Sequence, residues 1–309
     1  MRKKTLFLLI SIIGLFILYN ISAPQSNFFE HYKKNDIASK TLREFQNRKT
    51  KKITVNSVSW QYLSTGKGTK TIVFLHGMGG AYDLWWQQIN YFENDFKIIT
   101  YTLPDEIDNL NDALAGIKSI LKEEKVDKFI AVGTSMGGYI TQYILKSIPE
   151  RVEKVVFGNT FPPNEDLLKD NLLKSKIIPF LPEIVISKLG DKTLKDKLLP
   201  AAKNDTLLAC FLPSLPFSKK SFINRFKVVV DPFTINSTEN KYKQISKLII
   251  ESDNDPLIPK KLRKEIKELY LNAKVYTFHN EGHFPYINAS NEYNKVLDYF
   301  INDKTPKLK

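Results

Sequence analysis

Gly133, Thr134, Ser135, Met136 and Gly137 form a Gly-x-Ser-x-Gly pentapeptide, and its setting constrains the fold more than any other feature of the chain. Apolar Phe129, Ile130, Ala131 and Val132 precede it. Tyr139, Ile140, Tyr143 and Ile144 follow at helical spacing. The pattern predicts a strand, a sharp turn and a helix. A serine at the apex of such a turn projects its hydroxyl out of the sheet, where a base and a substrate can reach it. Glycines flank it because the backbone is crowded there.

The flanking chain repeats the strand half of this pattern. Short apolar runs of the kind buried in a parallel sheet occur at residues 71–75, 96–101, 129–132, 155–157, 248–250 and 275–278. Two more strand-like stretches, 53–55 and 58–63, come before them. Helical patterns lie between, with Leu110, Leu114, Ile117 and Leu121 on one face and Leu262, Ile266, Leu269 and Tyr270 on another. A last helix carries Tyr293, Val296, Leu297, Phe300 and Ile301. The alternation predicts an α/β fold, a mostly parallel sheet with helices on both faces. It breaks between Phe161 and Gln244, where short apolar segments, prolines and lysines replace core strands. Structureless loops of that length are uncommon in compact domains, so residues 162–244 are expected to form a helical cap inserted into a core of 52–161 and 245–309.

The chain has 309 residues, enough for one such domain with its insertion. The single Cys210 excludes an intrachain disulfide. Net charge is +13, but the lysines are scattered and rarely alternate with aromatic residues, which argues against a nucleic-acid surface. They are densest from Lys33 to Lys52, inside a stretch, 26–51, read as a polar basic tether with at most one short helix. Ahead of it, Arg2, Lys3 and Lys4 precede an apolar run over residues 6–19. Residues 1–25 read as a signal anchor that leaves the body outside the cytoplasm. Cleavage after Ala23, giving a secreted protein, is the rival, and Pro24 disfavours it.

A serine hydroxyl is a weak nucleophile at neutral pH and needs a base, and the base needs an orienting acid. Of four histidines, His283 sits in a loop after the strand ending at Phe278, where open α/β sheets collect reactive groups. His279 is nearer the strand and reads as structural; His31 lies in the tether. Asp255 precedes a proline-rich turn after the run at 248–250 and is the expected acid, with Asp253 the runner-up. Acyl transfer also needs N–H donors for an oxyanion. Met136 follows the serine and supplies one. The glycine-rich loop Leu75 to Gly80 supplies the other, assigned to Met78 with Gly77 as the fallback. His76 reads as a loop organiser. The same loop lacks the Lys-Ser/Thr ending of a phosphate cradle. No metal cluster is visible and no cofactor is implied.

From roughly Lys52 to Ile301 the chain resembles the α/β-hydrolase superfamily. The matching elements are His76-Gly77-Met78, the turn from Gly133 to Gly137, Asp255 with its proline-rich turn, and Gly282-His283-Phe284-Pro285. They stand in the Ser, Asp, His order of that fold. The segment 133–139 together with 155–161 also resembles the maspardin branch. Thr102 to Asp108 departs from the glycine-containing turn of many relatives. Asn159 stands where some relatives keep their acid, which supports Asp255. The resemblance implies a serine hydrolase of carboxylic esters, and the apolar content of the cap points to a small substrate with a lipophilic acyl or alcohol group, such as a lipid-derived ester. The alternative is a non-catalytic, maspardin-like scaffold on the same fold.

Overall fold

The computed structural model describes residues 22–163 and 176–304, with Leu6, Phe7, Leu9, Ile10, Ser11, Ile13, Gly14, Tyr19 and Lys169 besides. Its centre is an eight-stranded sheet in the order β1-β2-β4-β3-β5-β6-β7-β8. The strands are β1 (Lys51–Val55), β2 (Val58–Gly66), β3 (Thr71–Leu75), β4 (Lys97–Thr102), β5 (Phe129–Thr134), β6 (Val152–Gly158), β7 (Ser246–Ser252) and β8 (Lys274–Phe278). β1 pairs antiparallel with β2 and β2 with β4; the remaining pairs are parallel.

Side chains of the central strands divide by period two between two cores. Val73 and Leu75, Phe129 and Ala131, Val155 and Phe157, and Ile249 face one core. Ile72 and Phe74, Ile130 and Val132, Val156, and Leu248 and Ile250 face the other. That is why these runs read as continuously apolar. Helices cover both faces. Leu114 and Ile117 of α4 (Leu110–Glu123), Ile140 and Ile144 of α5 (Met136–Ser147), and Leu262 and Ile266 of α9 (Lys260–Leu269) close the first core. The second is closed by α2 (Ile37–Gln46), α3 (Trp86–Phe92) and α10 (Ser290–Ile301).

Residues 28–46 differ from the expected tether. They form two helices, α1 (Phe28–His31) and α2, whose Phe28, Leu42 and Phe45 are buried in the second core. Fully burying one such side chain is worth about 1.5–3 kcal/mol, so α2 is an integral part of the domain. Ala38, Leu42 and Phe45 recur at helical spacing, and the lysines around them masked that stripe. Arg48 further ties the segment down through a two-pronged contact with Glu93, 2.5 and 2.9 Å.

Between β6 and β7 the described residues form α6 (Glu183–Thr193), α7 (Thr206–Phe211) and α8 (Lys219–Val230). The chain ahead of α1 runs along this insertion. Tyr19 Oη bonds to Pro179 O at 3.2 Å, Ala23 N–H to Glu183 Oε1 at 2.9 Å, and Gln25 Nε2 to Ser214 O at 2.9 Å. Among the described residues no helix is long and apolar enough to cross a membrane. Much of the expected signal anchor, 1–25, lies outside the described residues.

One buried carboxyl makes α2 sensitive to pH. Asp83 is buried, and Gln46 of α2 donates to its Oδ2 at 2.6 Å. Its Oδ1 has no partner among the described residues. Burial raises its pKa, outweighing the Gln46 bond. A folded-state pKa above the unfolded value means that stability falls as pH rises through that interval. Asp83→Asn should therefore raise the unfolding temperature near neutral pH, with the gain vanishing below about pH 4, where both states are protonated. Thermal unfolding followed by circular dichroism across pH measures this; a gain that persists undiminished in acid would contradict it.

Candidate active site

Ser135 sits between β5 and α5 with φ 54° and ψ −120°, a conformation that strains any side chain other than glycine. Three backbone bonds hold it there. Ser135 N–H donates to Gly158 O at 2.9 Å, and its carbonyl accepts from Tyr139 N–H at 3.0 Å and Thr160 Oγ1 at 2.6 Å. The turn also requires close backbone contact. A Cβ on Gly137 would lie 2.2 Å from Leu75 O, so only glycine fits. The serine side chain is half-exposed, while Met136 beside it is buried.

The acid and the imidazole come from neighbouring strand ends. Asp255 follows β7, and its Oδ2 lies 2.8 Å from His283 Nδ1. Both side chains are buried, at 0% and 3% exposure. A carboxylate only accepts, so Nδ1 carries the proton and Nε2 keeps its lone pair. Asp255 Oδ1 accepts from Leu257 N–H at 2.8 Å and Ile258 N–H at 3.1 Å, and Asn159 Nδ2 donates to Oδ2 at 2.9 Å. Burial pushes this carboxyl up, but the electrostatic attraction of the neighbouring His283 ring and these hydrogen bonds outweigh it and hold its pKa below the usual carboxylate value. Gly282, at φ +64°, turns the chain so that His283 points back towards Asp255.

Asp253, the runner-up acid, and His279, read as structural, pair with each other. His279 Nδ1 lies 2.8 Å from Asp253 Oδ2, and both side chains are exposed, at 77% and 41%. Asp253 Oδ1 also accepts from Asn280 N–H at 3.0 Å, so this second pair clips the start of the His283 loop to β7. Two aspartates two residues apart thus serve two histidines four apart. Burial separates the pair inside the site from the pair on the surface.

Opposite Ser135, the loop after β3 brings Gly77 close: a Cβ there would stand 3.2 Å from Ser135 Cβ and 3.9 Å from its Oγ. Among the described residues the N–H groups of Gly77, Met78 and Met136 donate to no acceptor. Met136 opens α5, where the first-turn N–H groups lack intrahelical partners. Ser135 Oγ likewise has no hydrogen-bond partner among the described residues. His76 takes no part as a base. Its Nε2 accepts from Leu103 N–H at 2.9 Å, which leaves Nδ1–H to donate to Gly77 O at 2.7 Å. Burial and the nearby Arg225 charge lower its pKa to about 3, so it stays neutral and orders the loop.

Two residues of this region escaped the sequence reading. Asn159, at φ 38° beyond β6, was seen only as the absence of an acid; its amide orients Asp255 and also reaches Gly282 O at 3.3 Å. Arg225 of α8 gave no signal among the many basic residues. It is 3% exposed, and its Nη1 donates to Met78 O at 2.8 Å and Gly80 O at 2.9 Å while Nη2 donates to Leu103 O at 2.8 Å. A single guanidinium of the insertion thus spans the loops after β3 and β4. Burial lowers its pKa to about 10, and it remains charged at neutral pH. The segment 102–108, which lacks the expected glycines, is held by this insertion as well: Asn224 Nδ2 donates to Asp105 O at 2.8 Å and Ser218 Oγ to Asp105 Oδ2 at 2.6 Å.

A sequence profile of the alpha/beta hydrolase family matches residues 72–296. Over 257 residues the chain is 20% identical to a pimeloyl-[acyl-carrier protein] methyl ester esterase of Vibrio parahaemolyticus, covering 80% of this chain and 99% of that protein. It is 26% identical over 120 residues to 3-oxoadipate enol-lactonase 2 of Acinetobacter baylyi, 35% of this chain and 44% of the lactonase. The chain thus spans less than half the length of that relative. The crystal structure of an enol-lactonase from Burkholderia xenovorans shares the fold, with a TM-score of 0.69 at 14% identity over 82% of this chain and all of that one.

Arg225→Met removes the donor from three carbonyls at once. Each buried carbonyl left unpaired costs about 1–3 kcal/mol, so the variant should lose at least roughly 2 kcal/mol of stability in urea unfolding. Arg225→Lys, which keeps a charge but not the fork, should recover only part of it. An unchanged midpoint for the methionine variant would show that the clamp contributes nothing.

Proposed function

Because the chain belongs to the alpha/beta hydrolase family, we propose that it cleaves carboxylic esters through an acyl-enzyme on Ser135, with His283 as base and Asp255 as its orienting acid. The observation that carries this reading is the buried Asp255–His283 bond on the same rim of the sheet as a serine held in a strained turn. Structural duty alone does not call for that combination. The relatives add weight, since their names describe a methyl ester and a lactone.

The chemistry follows from the groups present. His283 Nε2 takes the Ser135 proton as Oγ attacks the ester carbonyl carbon. The free N–H of Met136, with that of Met78 or Gly77, binds the oxyanion that forms. The imidazolium then returns the proton to the departing alkoxide, and an alcohol leaves. Water, deprotonated by the same nitrogen, attacks the acyl-enzyme; the bond to Ser135 Oγ breaks, the proton passes from the imidazolium to that oxygen, and the acid leaves. Asp255 stays ionised throughout and holds the imidazolium by charge. The Ser135–His283 hydrogen bond closes in the substrate complex; such bonds are commonly open without substrate.

The apolar run ahead of α1 supports a second element, anchoring by residues 1–25 with the body outside the cytoplasm, following the positive charge of Arg2, Lys3 and Lys4. A non-catalytic scaffold draws on the open Ser135–His283 link, and one experiment separates the two readings. The wild type should turn over p-nitrophenyl esters and bind a fluorophosphonate probe covalently at Ser135. Ser135→Ala should lose the labelling, and turnover should drop on the order of 10⁴-fold or more. Asp255→Asn should keep the fold and lose most of the turnover, because the wrong imidazole tautomer is then held. Wild-type protein that neither labels nor hydrolyses would leave the scaffold reading standing.

A further inference from the structure

The insertion carries large apolar side chains on its outside. Phe180 is 79% exposed, Leu189 54%, Ile177 49% and Val185 38%. Four such residues fall within thirteen positions, which is unlike the scattered single apolar residues of an ordinary surface. Val185 and Leu189 are one turn apart on α6, and Lys188 and Lys192 share their side of the helix. Lys176 and Lys195, also exposed, flank the stretch at either end. Apolar side chains bordered by lysines are the composition of a helix face that lies in a lipid interface.

The course of the chain identifies what covers this surface. The apolar run of residues 6–19 ends at Tyr19, whose hydroxyl bonds to Pro179, between Ile177 and Phe180. Lys219 Nζ reaches the same hydroxyl at 2.6 Å and lies over the ring, 4.1 Å from its centroid. Four residues on, Ala23 is bonded to Glu183, the first residue of α6. Within the run, Leu6, Phe7, Ile10 and Ile13 are themselves 48–74% exposed. Tyr19, at the end of the apolar run, therefore sits beside the exposed apolar residues. Charge separates the remaining occupants. A second copy would bring lysines against lysines in a chain of net charge +13, whereas anionic head groups complement them.

We infer that the outer surface of residues 176–195, with Ile177, Phe180, Val185 and Leu189 among Lys176, Lys188, Lys192 and Lys195, is a docking face for an anionic membrane. This deepens the anchoring proposed above and rests on it. The insertion also supplies Arg225 to the loop facing Ser135 and Ala201 O to Asn254 Nδ2, at 2.7 Å, beside the His283 loop. Docking through it brings the candidate site next to the lipid surface and suits esters carried in a bilayer.

The test uses the full chain in vesicles of phosphatidylcholine and phosphatidylglycerol. Single cysteines are placed at Phe7, Phe180, Leu189 or Lys264 in a Cys210→Ser background. Each is labelled with a polarity-sensitive fluorophore, and lipids carrying a quencher on the acyl chain are added. Expected are a blue shift and loss of emission at Phe7, Phe180 and Leu189, and none at Lys264, on α9. Reversing Lys188, Lys192 and Lys195 to Glu should weaken quenching at Phe180 and slow turnover of a vesicle-borne ester, while a soluble ester is cleaved as before. Quenching at Phe7 with none at Phe180 and Leu189 overturns the docking face and leaves the anchor intact. Absence of quenching at all three positions removes both. Protection of Phe180 that grows with protein concentration and ignores lipid assigns the face to a second copy and also overturns the proposal. Loss of fluorophosphonate labelling in the wild type would count against the hydrolase reading alone, since the quenching does not depend on Ser135.

Discussion

The parallel pairing of β5, β6, β7 and β8 is the constraint on which the rest depends. Its register aligns Thr134 with Gly158, Gly158 with Ile250, and Ser252 with Phe278. Each strand therefore delivers its next few residues to the same rim: Ser135, Asn159, the turn from Asp253 to Asp255, and the loop from His279 to His283. Backbone bonds across that rim then set the details. Gly158 O holds Ser135, Ile250 O holds Asn159 at 2.7 Å, and Phe278 O holds Asp253 at 3.0 Å. A slip of one residue between any two of these strands would turn the site side chains to the opposite face of the sheet.

Above this rim the insertion works by polar contacts. Arg225 lends five-donor geometry to carbonyls that no strand can reach, and Asn254 is tied to Ala201. A buried cation is costly, and here three carbonyl dipoles and the charge of Asp105 offset that cost. The arrangement makes the loop after β3 depend on a helix more than a hundred residues away in sequence. It also places a positive charge on the loop that faces Ser135.

The sequence carried much of this. The eight strands lie where the sequence placed them, most clearly β3, β5, β6 and β7, because a strand buried on both faces needs a continuous apolar run. Ser135 was legible because a strand, a glycine-bounded turn and an amphipathic helix must appear in that order around it. The preference for Asp255 over Asp253 rested only on a turn. In the structure it is Asp255 that meets His283, and the difference between the two aspartates is burial, which no local pattern encodes. The sequence allowed a short helix within the tether but not the burial of 37–46, because a stripe of Ala38, Leu42 and Phe45 is short and surrounded by lysines.

By itself the sequence determined the layer architecture and the chemical identity of the candidate groups, since strand period, helix period and turn chemistry are local properties of a chain. Only the tertiary structure decided which aspartate faces which histidine, that Asn159 orients the acid, that Arg225 clamps the loop opposite Ser135, and where the N-terminal segment meets the insertion. Those contacts join residues tens to hundreds of positions apart, and their partners are fixed by packing and burial, which exist only once the sheet has formed.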